Sequence, residues 1–221
     1  TPPETLEPAD PTGATDSTDT TQGCIDYASA KGGGVVYIPY GTYLTQPLEM
    51  KSNVALIGFD RNATRLVLKG GAIKSMFTGD VNNVSFQNLT IDGNMDIQVN
   101  NVDLIEMTVS NALFNNLILT DGYELINVNC NGGFIQLTNT IFDYSVVKAM
   151  TLNKTENETT VQVQNIVVNN VSDLKGECAI ETNIDNGVMH NVIVNASAPV
   201  GVVFNGNNGT FDGNITNAMT P

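Results

Sequence analysis

The residues with the clearest chemical potential form one short charged stretch. It holds three carboxylates and one amine: Asp173, Lys175, Glu177 and Glu181. Paired carboxylates beside a lysine could supply the acid and the base that glycosidic cleavage or proton abstraction needs. Solvated surface charge explains the same residues with fewer assumptions, and we favour that interpretation.

Two further patterns could bind a ligand or move a proton. The segment D-G-N-M-D places Asp92, Asn94 and Asp96 at alternating positions, where their oxygens could bind calcium. A full calcium loop needs more ligands and a distal acid, so a tight turn is favoured and no metal or other cofactor is predicted, with calcium as the weak alternative. The single histidine, His190, is expected to be a neutral, hydrogen-bonded strand residue rather than a catalytic base.

The asparagines offer a different chemistry, because nine of them begin N-x-S/T sequons. Each could accept a glycan in a secretory pathway, although an Asn- and Thr-rich chain gives roughly half this number by chance. The candidate glycosylation sites are Asn62, Asn83, Asn88, Asn153, Asn157, Asn170, Asn195, Asn208 and Asn214.

Charge and hydropathy restrict the partners. The formal net charge is −14 and the nine basic residues are scattered, so nucleic acid would be repelled. No apolar run approaches the roughly 20 residues that span a bilayer as a helix. The chain starts at Thr1 without a signal-like segment, as expected for a processed chain, and we predict a secreted or extracellular surface protein.

The chain divides into a short leading segment and one long β-rich domain. Residues 1–16 hold four of the eight prolines and are predicted to be a linker or an arm. A capping helix is predicted at about 17–31, with Cys24, Ile25 and Ala28 on its apolar face. Beyond the glycines at 32–34, strand follows strand to residue 221 without an intervening helix.

A recurring asparagine followed by alternating apolar residues indicates a solenoid. The intervals between successive repeats are 18, 21, 18, 20, 26 and 23 residues, which suits coils of two or three short strands. Stacked coils would place equivalent side chains about 4.8 Å apart, and asparagine tolerates the left-handed backbone that sharp corners need. The predicted repeats begin at Asn88, Glu106, Asn127, Ser145, Asn165, Asn191 and Asn214.

Two of the three cysteines are predicted to be buried side chains of the same architecture. Cys24, Cys130 and Cys178 are odd in number and have no C-x-x-C spacing for zinc. Cys130 and Cys178 are about two coils apart, roughly 10 Å, which exceeds the reach of a disulfide. We expect unreactive thiols at both positions.

Residues 17–58 carry a family resemblance. The segments D-S-T-D-T-T-Q-G-C-I-D-Y-A, G-G-G-V-V-Y-I-P-Y-G-T-Y and K-S-N-V-A-L-I-G resemble the opening of the pectate-lyase-like superfamily. That superfamily includes polysaccharide lyases, glycoside hydrolases and phage tailspikes. The resemblance implies an all-β, single-stranded right-handed parallel β-helix with a short N-terminal capping helix.

The resemblance does not carry a reaction with it, because many activities share this fold. The hydrolases of the superfamily typically carry a D-D pair, G-H-G and R-I-K, and none of these is present. Its lyases use a basic residue beside calcium-binding acids, yet no Lys or Arg occurs between Lys74 and Lys148. A tyrosine group, Tyr27, Tyr37, Tyr40 and Tyr43, could stack on sugars, but packing within the cap is the default.

These observations favour an extracellular structural or assembly protein, such as a surface, fibre or virion appendage subunit, that is glycosylated and non-catalytic. Self-association, head-to-tail or as an oligomer, is predicted from the open strand edge expected at the last coil. A polysaccharide lyase or glycoside hydrolase is the alternative, followed by a non-catalytic glycan-binding spike.

Overall fold

A computed structural model describes residues 7–155, 158–172, 178–195 and 200–216 of the chain. The described part is mostly β, with parallel strands stacked as a solenoid of about 8 turns and one short α-helix. This confirms the predicted all-β parallel β-helix with a capping helix. Within the described residues, no helix is long and apolar enough to cross a membrane.

The elements follow one another along the coil with short connections. Helix α1 spans Thr18–Ala30, and a 3-10 helix spans Met95–Ile97. The strands are β1 (Thr12–Asp16), β2 (Gly34–Ile38), β3 (Gly41–Thr45), β4 (Leu48–Glu49), β5 (Val54–Gly58), β6 (Thr64–Leu68), β7 (Phe77–Val81), β8 (Val84–Asp92), β9 (Ile105–Val109), β10 (Ala112–Cys130), β11 (Gly133–Thr138), β12 (Ile141–Lys154), β13 (Thr159–Asn169), β14 (Cys178–Asn183), β15 (Val188–Asn195), β16 (Val200–Phe204) and β17 (Thr210–Ile215).

Parallel pairing sorts these strands into three faces that run the length of the solenoid. Face A consists of residues 34–38, 54–58, 84–87, 112–115, 133–138, 159–164, 188–190 and 210–212. Face B consists of residues 12–16, 41–45, 64–68, 90–92, 117–120, 141–143, 166–169 and 192–195. Face C consists of residues 48–49, 77–81, 105–109, 126–130, 148–154, 178–183 and 200–204.

The chain enters the solenoid through β1 and α1. Residues 12–16, the end of the predicted arm, pair with β3, so this part of the arm lies on the first coil. Helix α1 matches the predicted position within a residue at each end and buries Thr21 and Ile25. The expected apolar face is wrong in one respect, because Cys24 is exposed.

Single residues in the left-handed backbone region turn the chain from one face to the next. Of the 13 non-glycine residues with positive φ in the described part of the chain, 11 are asparagine. Asparagine enters this region more readily than other residues with a Cβ, which explains much of its abundance. The corner between faces A and B is formed by Asn88, Asn116, Asn139, Asn165 and Asn191.

The asparagines of this corner also bond to one another from coil to coil. Asn165 Nδ2 donates to Asn139 Oδ1 at 3.0 Å, and Asn191 Nδ2 donates to Asn165 Oδ1 at 2.8 Å. The corner steps are 28, 23, 26 and 26 residues, so the predicted alignment with its period of about 20 is wrong. It mixed faces: Asn88 lies at the A–B corner and Glu106 on face C of the same coil.

We predict that Asn165→Ala lowers the free energy of unfolding by about 2 kcal/mol. About half comes from the broken ladder hydrogen bonds and half from forcing a Cβ-bearing residue without a polar side chain into the left-handed region. Asn165→Gly relieves the backbone term and should cost about 1 kcal/mol. Urea unfolding of the two variants measures the difference, and equal losses would rule out a backbone contribution.

Candidate functional site

Face C carries a cluster of carboxylates on its outer surface. In β9 of this face the inward side chains form the core, whereas the outward Glu106 and Thr108 reach solvent. Pairing places Glu106, Asn127, Thr151 and Glu181 in one outward row, one residue per coil over four coils. At about 4.8 Å per coil, the row extends about 14 Å.

A second group of polar residues adjoins this row. Glu124 of β10 pairs in register with Lys148 of β12, and Asp103 lies just before β9. We call Asp103, Glu106, Glu124, Lys148 and Glu181 the acid cluster. Four carboxylates and one amine thus share the outer surface of four consecutive coils.

Asp103 is held by the coil that follows it. The backbone N–H of Glu124 donates to its Oδ1 at 3.0 Å, and Asn127 Nδ2 donates to its Oδ2 at 3.4 Å. Burial raises the pKa of Asp103 above its ordinary value; these two hydrogen bonds oppose the shift, and the neighbouring Glu106 charge adds to it. Asp103 is therefore suited to hold a proton at higher pH than an ordinary aspartate.

The other carboxylates of the cluster are fixed by hydroxyl groups or by the lysine. Ser75 Oγ donates to Glu106 Oε2 at 2.6 Å, and Thr151 Oγ1 donates to Glu124 Oε2 at 3.0 Å. Lys148 Nζ lies 2.6 Å from Glu181 Oε2, with only 12% of the lysine side chain exposed. The lysine charge is thus compensated within the protein.

The corner between faces B and C extends the acidic surface. Arg65 Nε donates to Asp92 Oδ2 at 2.9 Å, and Asp92 Oδ1 accepts the backbone N–H of Asn94 at 2.8 Å. One oxygen of Asp92 therefore holds the turn and the other holds Arg65 of β6, and Asn94 takes the left-handed conformation. The segment turns into the 3-10 helix Met95–Ile97, and calcium binding there stays the weak alternative. Among the described residues, no group of three or more His, Cys, Asp or Glu side chains is placed to hold a metal ion.

Asp121, at the same corner, provides a test of this electrostatic description. Burial raises the pKa of Asp121, and the Asp92 and Asp96 charges add to the shift. Because the folded state binds this proton more tightly than the unfolded state, ionisation of Asp121 destabilises the fold as pH rises. Asparagine suits its left-handed backbone and can still accept the Thr120 hydroxyl bond.

We therefore predict that Asp121→Asn is more stable than the wild type by about 0.5 kcal/mol near pH ~7 and indistinguishable from it near pH ~3. Urea unfolding at both pH values checks the result. A variant that is equally stabilised at both pH values would show that charge repulsion is not the cause.

The residues singled out from the sequence are dispersed. Asp173, Lys175 and Glu177 lie outside the described residues, and Glu181 joins the acid cluster instead. His190 lies on outer face A, where its Nδ1 is 2.6 Å from Asp212 Oδ2 in the next coil. The predicted hydrogen-bonded strand position of His190 is confirmed.

The four tyrosines considered as a sugar-stacking group lie in different environments. Tyr43 is buried, Tyr27 lies under the Lys31 amine, and Tyr37 and Tyr40 are exposed, so the four tyrosines do not form one platform.

Cys130 and Cys178 are buried on face C, two coils apart in β10 and β14. Burial raises the pKa of the Cys130 thiol to about 12, as expected for an unreactive side chain.

The sequon asparagines have different degrees of accessibility. The Nδ2 groups of Asn83, Asn170 and Asn195, to which a glycan would attach, donate hydrogen bonds to side-chain oxygens of the preceding coil. Asn62, Asn208 and Asn214 are exposed, whereas Asn88 and Asn153 are partly buried. Asn157 lies outside the described residues. Glycosylation stays a prediction, and at the first three sites the glycan would attach to a nitrogen that already takes part in a ladder hydrogen bond.

Sequence reasoning missed Asp103, Glu106, Glu124 and Lys148 as a group. One signal in the sequence could have revealed part of this group. The predicted repeat contains both Glu106 and Asn127, and these two residues do lie one coil apart on face C. Extending that row requires longer and unequal steps, first to Thr151 and then to Glu181, which the irregular corners hide.

The stacked parallel strands and the single short α-helix place the described part of the chain in the class of parallel β-helix proteins. The chain belongs to the rhamnogalacturonase A/epimerase, pectate lyase-like family, whose model matches residues 7–220. The superfamily resemblance noted in residues 17–58 is therefore confirmed.

Curated relatives match part of the chain. Mannuronan C5-epimerase AlgE3 of Azotobacter vinelandii is 33% identical over a region covering 38% of this chain and 5% of that protein. Alginate lyase 7 of the same organism is 35% identical over 41% of this chain and 12% of its own length. The match thus spans only a small part of these much longer proteins.

Solved structures resemble the fold over most of the chain. The A-module of mannuronan C-5 epimerase AlgE6 from Azotobacter vinelandii has a TM-score of 0.55 at 17% identity, covering 90% of this chain and 73% of that module. A candidate glycosyl hydrolase from Parabacteroides merdae has a TM-score of 0.52 at 19% identity, covering 94% and 93%. These likenesses concern the fold.

Proposed function

We propose that this protein binds an uncharged polysaccharide along outer face C and hydrolyses its glycosidic bonds. The observation that carries the proposal is Asp103, a carboxylate with a raised pKa beside a second carboxylate, Glu106, on the polar outer face. Family membership and the polysaccharide-acting relatives support a carbohydrate role. This reverses the preference for a non-catalytic role drawn from the missing sequence signatures.

In this proposal one carboxylate acts as the general acid and the other as the general base. Asp103 donates its proton to the glycosidic oxygen as the bond from that oxygen to the anomeric carbon breaks. Glu106 takes a proton from the water molecule whose oxygen bonds to the same carbon. Direct attack by water requires a protonated acid at the glycosidic oxygen and an ionised base on the opposite face of the sugar ring, so the reacting sugar would lie between Asp103 and Glu106.

The charges of face C favour an uncharged substrate. In the described strands of this face, the basic residues are Lys148 and Lys154, and they pair with Glu181 and Asp185 at 2.6 Å. A polyuronate would bring further carboxylates to a surface whose cations are already engaged, which costs electrostatic energy. In this respect the chain differs from what the names of its mannuronan-acting relatives suggest.

A polysaccharide panel tests the proposal. The protein would be incubated with soluble β-glucan, xylan, galactomannan and arabinogalactan, and in parallel with alginate and polygalacturonate, each with and without calcium. We expect new reducing ends from at least one neutral polymer and none from the two polyuronates. Ultraviolet-absorbing unsaturated products would identify a lyase instead, and the absence of product from every polymer would contradict hydrolysis.

The assembly and location predicted from the sequence stay predictions. An extracellular location agrees with a polymeric substrate, because such polymers do not cross membranes. Self-association can be measured by light scattering over a range of protein concentrations, together with electron microscopy. A monomer at every concentration would contradict the predicted filament or oligomer.

A further inference from the structure

Outer face A has a surface chemistry unlike that of face C. The outward row next to the A–B corner runs through Tyr37, Ile57, Gln87, Asn115, Thr138 and Gln164, one residue per coil, before it reaches the paired His190 and Asp212 in the last two coils. None of these six side chains carries a charge, in a chain whose net charge is −14. At about 4.8 Å per coil, this uncharged strip is about 24 Å long.

A depression lies beside the strip, near the corner between faces C and A. Its volume is about 360 Å³, and one wall includes Phe134, whose side chain is 44% exposed. Gln136, Ser85, Asn83 and Asn111 bring amide and hydroxyl groups to the same depression. Phe134 is held in place because its backbone N–H donates to Asn111 Oδ1 at 3.1 Å.

Exposed aromatic rings continue the surface toward the N-terminal coils. Tyr37, Tyr40 and Phe59 are 56%, 72% and 60% exposed. Tyr40 and Phe59 meet edge to face with ring centroids 6.5 Å apart, which holds the two rings in a defined arrangement. Large exposed aromatics grouped on one side of a small protein commonly mark a binding surface.

We propose that outer face A is a second glycan-binding surface that takes an uncharged polysaccharide, with its central subsite at the Phe134 depression. Amide and hydroxyl side chains both donate and accept hydrogen bonds, as sugar hydroxyls do. Aromatic rings match the apolar faces of pyranose rings. The uncharged strip neither attracts ions nor repels a neutral chain. The spacing between its side chains, about 4.8 Å per coil, is close to the length of one sugar residue.

This surface is separate from the acid cluster, so the inference goes beyond the proposed hydrolysis on face C. A polymer held on face A would keep the protein on its substrate between cleavage events. Binding there needs none of the acid–base groups of face C. The two proposals can therefore fail independently of each other.

Affinity electrophoresis in native gels tests the inference. Each gel would contain soluble β-glucan, xylan, galactomannan or arabinogalactan, and the Asp103→Asn background would prevent digestion. We expect retardation in at least one gel, and a dissociation constant about tenfold weaker for Phe134→Ala. Gln136→Leu, which keeps the size of the side chain and removes its amide, should weaken binding in the same gel.

Ile73→Ala is the matched control, because Ile73 is 81% exposed and lies between β6 and β7, away from face A. It should bind as the background does. Cleavage of an oligosaccharide too short to reach both faces should be unchanged by Phe134→Ala in the otherwise wild-type protein. Phe134-dependent retardation without any cleavage would support this inference while refuting hydrolysis. Undiminished retardation of Phe134→Ala and Gln136→Leu, or no retardation in any gel, would overturn it.

Discussion

Asp103→Asn should lower the turnover of a cleaved neutral polysaccharide by about 100- to 10,000-fold, which is the usual contribution of a general acid. Asparagine can keep the hydrogen bond from the Glu124 backbone but cannot donate the catalytic proton. The Michaelis constant should change little, because the side chain is proposed to act on the departing oxygen rather than on the rest of the chain. Initial rates of reducing-end release measure both parameters.

Asp80→Asn is the matched control for this experiment. Asp80 is an exposed carboxylate of β7 on face C, paired in register with Thr108, so its loss changes the charge of the face without touching Asp103. Its turnover should stay close to that of the wild type. Equal losses in Asp80→Asn and Asp103→Asn would mean that the overall charge of the face, and not a proton donor at residue 103, is what matters.

The pH dependence of turnover should reflect the titration of Asp103. Because burial raises the pKa of Asp103, its protonated form persists to higher pH than that of an ordinary aspartate. Activity is expected to fall as pH rises through this raised pKa, and Asp103→Asn should lose that dependence.

Phe114→Ala should lower the free energy of unfolding by about 3–5 kcal/mol. Phe114 is fully buried, and its ring stacks on Phe86 of the preceding coil with centroids 5.6 Å apart. Phe86 in turn meets the Phe77 ring edge to face at 5.0 Å. The substitution therefore leaves a cavity between three coils that the rigid ladder cannot close. Urea unfolding followed by circular dichroism measures the loss.

Phe59→Ala is the comparison, because Phe59 is 60% exposed and its truncation opens no cavity. Its effect should stay within about 0.5 kcal/mol. A loss below about 1 kcal/mol for Phe114→Ala would show that the core relaxes around the missing ring, contrary to a ladder of tightly packed coils.

Sequence reasoning reached the fold because local signals agreed with one another. The segments within residues 17–58 predict the capping helix and the first coils, and helix α1 at Thr18–Ala30 lies at the predicted position. The abundance of asparagine indicated left-handed corners, and the A–B corner is lined by them. These features depend on a few neighbouring residues, which a sequence displays directly.

The coil period was wrong because the aligned pattern occurs both at corners and within strands. Asn88 and Asn165 turn the chain between faces A and B, whereas Glu106 and Asn127 lie within strands of face C. The predicted repeat therefore steps between faces, and its apparent period is shorter than the true steps along the A–B corner.

The acid cluster could not be predicted for a related reason. Its members are spread along the chain from Asp103 to Glu181, and register across four coils brings them together. A one-residue error in any coil moves a side chain from the outer surface to the core. Asp103 also precedes its strand, so strand alternation does not reveal that it is partly buried.

A crystal structure of Asp103→Asn soaked with an oligosaccharide of the cleaved neutral polymer tests the central claim most directly. We predict sugar density along outer face C, with a glycosidic oxygen in hydrogen-bond range of residue 103 and a water molecule near Glu106. Density confined to face A, or a sugar on face C whose glycosidic oxygens all lie out of reach of residue 103, would contradict the proposed hydrolysis.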